Sequence, residues 1–247
     1  MDQAVSEAIK LIKESKYAFA FTGAGISVES GIPPFRGEHG LWSKYNPEIL
    51  ELSFFYREPV ESWKVIKEIF YDFFGEAKPN NAHLALAELE KSGLLKSIVT
   101  QNIDNLHTEA GSKEVYEFHG NSRMLVCPNC NRKYVASELD LSDVPLCDDC
   151  HSVLKPDFIF FGEGIPEEAY RKSFKAAENA DVVIIVGSTG EVYPAANIPQ
   201  LAKRNGAKII EINPEKTVFS ESITDVFLQG KASEVMEKIL ISLNEKL

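Results

Sequence analysis

Four cysteines, Cys127, Cys130, Cys147 and Cys150, fall within 24 consecutive residues and constrain this chain more than any other feature. They read Cys-x2-Cys, sixteen residues, Cys-x2-Cys, which is zinc-ribbon spacing. Each pair lets two thiolates converge from one tight turn, and two such turns complete a tetrahedron around Zn²⁺. Two disulfides are the competing reading, disfavoured because the N-terminus lacks a signal-peptide layout and disulfides are rare in the cytosol. Four thiolates leave no open position for water, so the expected zinc is structural. His151 adjoins Cys150, but the four cysteines already suffice.

Around this module the chain reads as compact, without repeats or low-complexity tracts. Val5, Ala8, Ile9 and Ile12 repeat at helical spacing, as do Ala82, Ala85, Leu86 and Leu89, closed by Gly93. Tyr170, Phe174 and Ala177 mark a further helix, residues 195–204 another, and Ala232 to Leu243 a closing amphipathic one. Between them lie short apolar strands at 17–21, 96–100, 182–186 and 208–212. Apolar strands alternating with amphipathic helices predict an α/β fold, a Rossmann-like parallel sheet with helices on both faces. The zinc ribbon and a helical stretch would form a smaller inserted domain. The expected division is 1–32, 76–120 and 157–247 for the sheet domain, with 33–75 and 121–156 for the small one.

Every apolar strand ends in a polar or Gly-rich turn: Thr22-Gly23, Thr100 to Asp104, Gly187 to Gly190, and Asn213. Ligands of open α/β sheets bind beyond the C-terminal strand ends, so these turns predict one crevice. Gly23-Ala24-Gly25 resembles the start of a dinucleotide fingerprint, whose glycines let backbone N–H groups approach a pyrophosphate. The usual third glycine is missing, since position 28 is Val. Ser30 to Gly37, with two prolines and two glycines, reads as a loop able to cover a ligand. Lys and Arg number 26 against 37 Asp and Glu, a net charge of −11. That balance argues against direct nucleic-acid binding and favours basic protein partners. No apolar run is long enough to span a membrane, and a cytoplasmic location is expected.

These residues resemble the sirtuin (Sir2-like) family of NAD-dependent protein deacylases, in its compact archaeal and bacterial form. The resemblance is carried by Gly23 to Pro33 with Phe35-Arg36-Gly37, Thr100-Gln-Asn-Ile-Asp104, His119-Gly120, the cysteines, Phe161-Gly162-Glu163, Gly187-Ser188, Tyr193-Pro-Ala195 and Ile212-Asn213, in the family's order. It implies an NAD-dependent protein lysine deacetylase. The acyl-lysine carbonyl attacks the ribose as nicotinamide leaves, and a histidine base then helps a ribose hydroxyl attack the imidate. The products are free lysine and O-acetyl-ADP-ribose.

By motif match His119 is that base, and Asn102 acts beside it. The NAD contacts implied are Gly23, Ala24, Gly25, Ser27, Phe35, Arg36, Gln101, Asn102, Ile103, Asp104, Gly187, Ser188, Thr189, Asn213, Lys231 and Ala232. An acetylated peptide would lie extended between Ile159, Phe161, Gly162 and Glu163 on one side and Gly190, Glu191 and Val192 on the other, adding a strand to both. The implied partners are acetylated lysine proteins or peptides, basic chromatin-type proteins among them.

Five positions, at three places, depart from or refine the family pattern. Pro34 stands where Asp or Thr is usual, and Gly190-Glu191 where an apolar pair is usual. Glu191 would favour basic residues beside the modified lysine. Ile66 and Ile69 stand where members selective for acidic acyl groups carry Tyr and Arg, which points to acetyl or longer aliphatic groups. The competing functions are mono-ADP-ribosyl transfer to protein, and a non-catalytic zinc-ribbon module on a nucleotide-sensing scaffold.

Overall fold

The computed structural model describes residues 2–35 and 40–244. Nine strands occur among them: β1 (Ala18–Thr22), β2 (Ser97–Thr100), β3 (Val115–Glu117), β4 (Gly120–Val126), β5 (Lys133–Val135), β6 (Lys155–Phe158), β7 (Val182–Val186), β8 (Lys208–Asn213) and β9 (Val226–Gln229). Six form one sheet in the order β3-β2-β1-β7-β8-β9, and every pairing in it is parallel. The other three form an antiparallel sheet, β5-β4-β6, that carries the cysteines on its flanking turns.

The period-2 alternation of strand side chains explains why the large sheet needs helices on both faces. Ala18, Ala20, Ile98, Val182, Ile184, Val186, Ile210 and Ile212 point into one core, against helices Asp2–Glu14, Asn81–Lys91 and Ala232–Asn244. Phe19, Phe21, Val99, Val183, Ile185 and Ile209 point into the other, against Glu167–Asn179 and Asn197–Arg204. Side chains of this kind, fully buried, contribute about 1.5–3 kcal/mol each. The expected parallel, doubly covered sheet is therefore the observed one, with strand limits within a residue of those read from the sequence.

A third core joins the short helices between Leu41 and Glu76 to the antiparallel sheet. Trp63 is central to it, donating its indole N–H to the Leu154 carbonyl at 2.7 Å. Ile66 and Ile69 are buried in the same core. The small sheet leaves the large one directly after β3 and returns through β6. At that junction Gly120 pairs with Phe158, and a Cβ on Gly120 would stand 2.2 Å from the Asp157 carbonyl oxygen.

Candidate active site

The turns at the ends of β1, β2, β7 and β8 do converge. The Gly23 N–H donates to Val186 O at 3.1 Å, Gly25 N–H to Gly187 O at 2.9 Å, and Gly187 N–H to Ile212 O at 3.1 Å. Gly187 has φ +65°, and a Cβ there would lie 2.2 Å from the Ile26 nitrogen. Glycine at 25 and 187 is thus demanded by two backbones in contact. The sequence predicts a turn at Thr22-Gly23 and a fingerprint-like Gly23-Ala24-Gly25. Here residues Ala24–Ser30 coil into a 3-10 helix, which draws Ser27 inward to full burial.

Ser27 is the hub of the polar floor. Its hydroxyl donates to Asp104 Oδ2 at 2.7 Å and receives Asn102 Nδ2 at 3.1 Å. Asn102 Nδ2 also donates to Gly23 O at 3.2 Å, which leaves the amide oxygen as the group Asn102 can offer a ligand. Asp104 further accepts the Leu106 N–H at 3.1 Å. Burial pushes the Asp104 carboxyl up, opposed by its bonds from Ser27, Leu106 and Asn102. Ile103, also buried, accepts both the N–H and the hydroxyl of Ser122 through its carbonyl.

Two further histidines, His83 and His107, lie beneath this floor. His83 Nδ1 accepts the Asn80 N–H at 3.3 Å, so its Nε2 carries the proton toward Ser27 Oγ at 3.4 Å. Burial lowers its pKa to about 4 and keeps the ring neutral. His107 packs edge-on against His83 at 4.9 Å between ring centroids and bonds Thr22 Oγ1 at 2.9 Å. Thr22 in turn donates to Thr100 Oγ1, which also accepts the Asn102 N–H. His83 heads a helix, as the N3 partner of the Asn80 cap, a spacing the sequence does print.

His119 sits between β3 and β4, half-buried. Its Nδ1 lies 3.0 Å from the Gln101 carbonyl, which can only accept, so Nδ1 carries the proton and Nε2 keeps a lone pair. Burial lowers its pKa, an effect the Gln101 bond partly offsets. The arrangement supplies a neutral imidazole able to take a proton near neutral pH.

On the far side Gln101 Nε2 donates to Ser188 Oγ at 2.8 Å. Asn213 Nδ2 donates to Ser188 O at 3.2 Å and to the buried Glu211 at 2.9 Å, leaving its amide oxygen as acceptor. Glu211 accepts from Asn213, Thr217 and Thr224, an anchor that the sequence does not reveal because two of its donors come from later in the chain. Lys231 is exposed and ion-paired with Glu234 at 3.6 Å, while Ala232 is buried at the start of the last helix. Phe35 is half-buried against Trp42, with ring centroids 5.5 Å apart, and Trp42 reaches Phe161 at 6.4 Å. Arg36, Gly37 and His39 lie outside the described residues.

The expected peptide-flanking segments are not strands. Residues 159–164 are irregular, with one isolated parallel bridge between Phe161 and Glu51. Glu163 turns back into its own segment: its Oε2 accepts the Phe160 N–H at 2.7 Å and meets Lys155 Nζ at 3.0 Å. Glu191 is exposed and takes the Thr189 hydroxyl at 3.1 Å; Gly190 lies against the Phe219 ring.

The four cysteine sulfurs lie within 4.8 Å of one another and form no disulfide. Cys127 and Cys150 are 3.4 Å apart and Cys130 and Cys147 3.6 Å, close to the roughly 3.8 Å edge of a tetrahedron with 2.3 Å zinc–sulfur bonds. The two turns share one backbone design. Asn131 N–H donates to Cys127 O and His151 N–H to Cys147 O, with Asn131 and His151 both left-handed. His151 is therefore the turn residue of the second knuckle rather than a ligand. Tyr134 adds a hydroxyl donated to Cys147 Sγ at 3.2 Å. Donor set and geometry fit structural Zn²⁺.

Among known proteins, the Sir2 family model matches residues 23–194. The NAD-dependent protein deacylase of Thermococcus sibiricus is 45% identical over 253 residues, covering 98% of each chain. The NAD-dependent protein deacetylase of Thermotoga maritima is 43% identical over 224 residues, covering 89% of this chain and 91% of its own. A Sir2 homologue solved as its NAD complex superposes with TM-score 0.91 at 41% identity, covering 98% of this chain and 94% of that one. A Sir2 histidine variant solved with deacetylated p53 peptide and 3′-O-acetyl-ADP-ribose gives TM-score 0.90 at 39% identity, covering 96% and 98%.

Proposed function

This chain belongs to the Sir2 family, and we infer from that membership that it is an NAD-dependent protein lysine deacetylase with His119 as its general base. It transfers the acetyl group of acetyl-lysine to ADP-ribose and releases nicotinamide. The observation that carries the residue assignment is His119 Nδ1 against Gln101 O. That bond fixes the tautomer with Nε2 free to accept the ribose hydroxyl proton.

We assign the remaining roles by the same logic. Gly23, Ala24, Gly25, Gly187, Ser188 and Thr189 form the wall that takes the phosphates and adenosine, with Asn213 presenting an acceptor to a ribose hydroxyl. Lys231 and Ala232 border the adenosine end. Gln101, Asn102, Ile103, Asp104 and Ser27 line the nicotinamide and proximal ribose end. Asn102 offers its oxygen and Asp104 a carboxyl whose other contacts are already fixed. Phe35 excludes water, and Arg36 is assigned to the same loop. The sheet domain (1–32, 76–120, 157–247) holds NAD, and the small domain (33–75, 121–156) carries the zinc, which supplies a rigid cross-link between the two knuckles.

The acetylated peptide runs between 159–163 and 190–192. Gly162, exposed and with no backbone partner among the described residues, supports backbone pairing there. A net charge of −11 suits basic, chromatin-type protein substrates. A four-cysteine cluster arranged for zinc rather than for disulfides supports a cytoplasmic setting, and among the described residues no helix is long and apolar enough to cross a membrane.

The test is incubation with NAD and an acetyl-lysine peptide, with both products read by mass spectrometry. Equal amounts of deacetylated peptide and O-acetyl-ADP-ribose are expected. Nicotinamide release without deacetylation would instead indicate ADP-ribosyl transfer.

A further inference from the structure

Lys155 is buried in β6, at 5% exposure. Its ammonium has three hydrogens and meets three oxygens: Pro156 O at 2.8 Å, Phe158 O at 2.8 Å and Glu163 Oε2 at 3.0 Å. All three can only accept while Glu163 is ionised, so the set is matched to a cation. The Phe160 ring lies 4.3 Å from Nζ and closes the remaining side. Taking a lysine out of water is costly unless every hydrogen finds a partner. Here the partners come from both ends of one short segment.

That segment is a closed turn. Glu163 N–H donates to Phe160 O at 3.0 Å, and Glu163 Oε2 returns to Phe160 N–H. The neighbouring backbone edge is occupied: Phe161 N–H donates to Leu50 O at 2.8 Å, and Leu52 N–H to Phe161 O at 3.1 Å. What faces outward is the half-exposed Phe161 ring and the exposed Gly162, a left-handed residue at φ +95°. The turn between Phe160 and Glu163 thus depends on a carboxylate that would be left without its counter-charge if Lys155 were absent.

We propose that Lys155 is a positioning residue for substrate: through Glu163 it locks the Phe160–Glu163 turn so that the Phe161 ring and the Gly162 backbone stand ready to receive the acyl-lysine peptide. Glu163 consequently serves this lock and not the peptide, a reassignment of its expected contact role. The inference rests on the reading of residues 159–163 as one wall of the peptide channel.

The experiment is steady-state deacetylation, varying peptide and NAD separately, for the wild type, Lys155→Met, Lys155→Arg and Glu163→Ala. In Lys155→Met the peptide KM rises about tenfold or more while the NAD KM stays within about twofold. Lys155→Arg restores part of the loss, because its planar fork cannot copy the three-way ammonium geometry. Should Lys155→Met fail to fold, Glu163→Ala carries the test, since its side chain is only partly buried; its peptide KM rises at least threefold with the NAD KM unmoved. A peptide KM unchanged in the folded variants, or a NAD KM rising in step with it, overturns the lock alone. Wild-type protein that neither binds nor deacetylates the peptide overturns the channel reading as well.

Discussion

The imidazole of His119 and the backbone carbonyl of Gln101 share one proton across 3.0 Å, and this single bond decides which ring nitrogen can work as a base. Deletion of the ring in His119→Ala should lower deacetylation by roughly 10²–10⁴-fold, the usual value of a positioned base. Nicotinamide release should fall less, since the base acts after that bond has broken. Product ratios by mass spectrometry check this; equal loss of both would be inconsistent with the assigned step.

The pH profile follows from the same ring. Burial moves the His119 pKa downward from its ordinary 6.5, so the working neutral form persists to lower pH than for a solvated imidazole. Deacetylation should therefore hold level through neutrality and decline, with unit slope, only below about pH 6.5. A kcat/KM profile whose acid limb lies above pH 7 would contradict the geometry.

Gly187→Ala tests the contact between the β1 and β7 turns. The new Cβ would meet the Ile26 nitrogen at 2.2 Å, in a residue already at φ +65°. Steric clash with backbone plus left-handed strain should cost about 3 kcal/mol or more, with NAD binding lost. Gly75→Ala, which meets nothing within 4 Å, should stay within about 0.5 kcal/mol. Thermal melts of both variants, read beside NAD titrations, settle the comparison.

Zinc removal should be visible from Trp63. Its ring shares a core with Cys127, Cys147 and Leu154, and its indole is tied to Leu154 O. In a Trp42→Phe background, which leaves Trp63 as the remaining tryptophan of two, a strong chelator should shift emission to the red. If the metal is worth even about 3 kcal/mol, Tm should fall by roughly 6–12 °C. Unaltered emission after verified zinc loss would mean that the third core stands without the metal.

Glu191 should bias peptide choice. It is exposed and fixed by the Thr189 hydroxyl, so peptides with Lys or Arg beside the acetyl-lysine should turn over several-fold faster than those with Asp or Glu. The bias should shrink in Glu191→Leu and in high salt. Equal turnover of both peptide sets by the wild type would remove the role.

Legibility tracked burial. The β7 segment is five consecutive apolar residues buried on both faces, and its limits could be read directly. The edge strands β3 and β9 could not, because both are partly exposed and their sequences mix Tyr, Glu and Gln among apolar residues. The zinc knuckles were legible because their ligand spacing is local. Ser27, His83 and His107 were not legible as a unit: Ser27 and His83 are 56 residues apart, and only the fold stacks them. Glu163 shows a related limit. Its carboxylate meets Lys155, eight positions earlier in the chain, a pairing that the motif does not print.

The rung where Gly120 pairs with Phe158 has His119 on one side and Ile159 on the other, joined by an N–H···O bond of 2.8 Å. Residues 121–157 leave and return at this rung, and are tied further by the Leu125–Pro156 and Val126–Lys155 pairs and by the third core. Closing a longer loop costs a chain only slightly more than closing a shorter one. A longer or shorter loop beyond the rung can therefore be accommodated without moving His119 relative to Ile159. Their spacing belongs to the rung and not to the length of chain it closes.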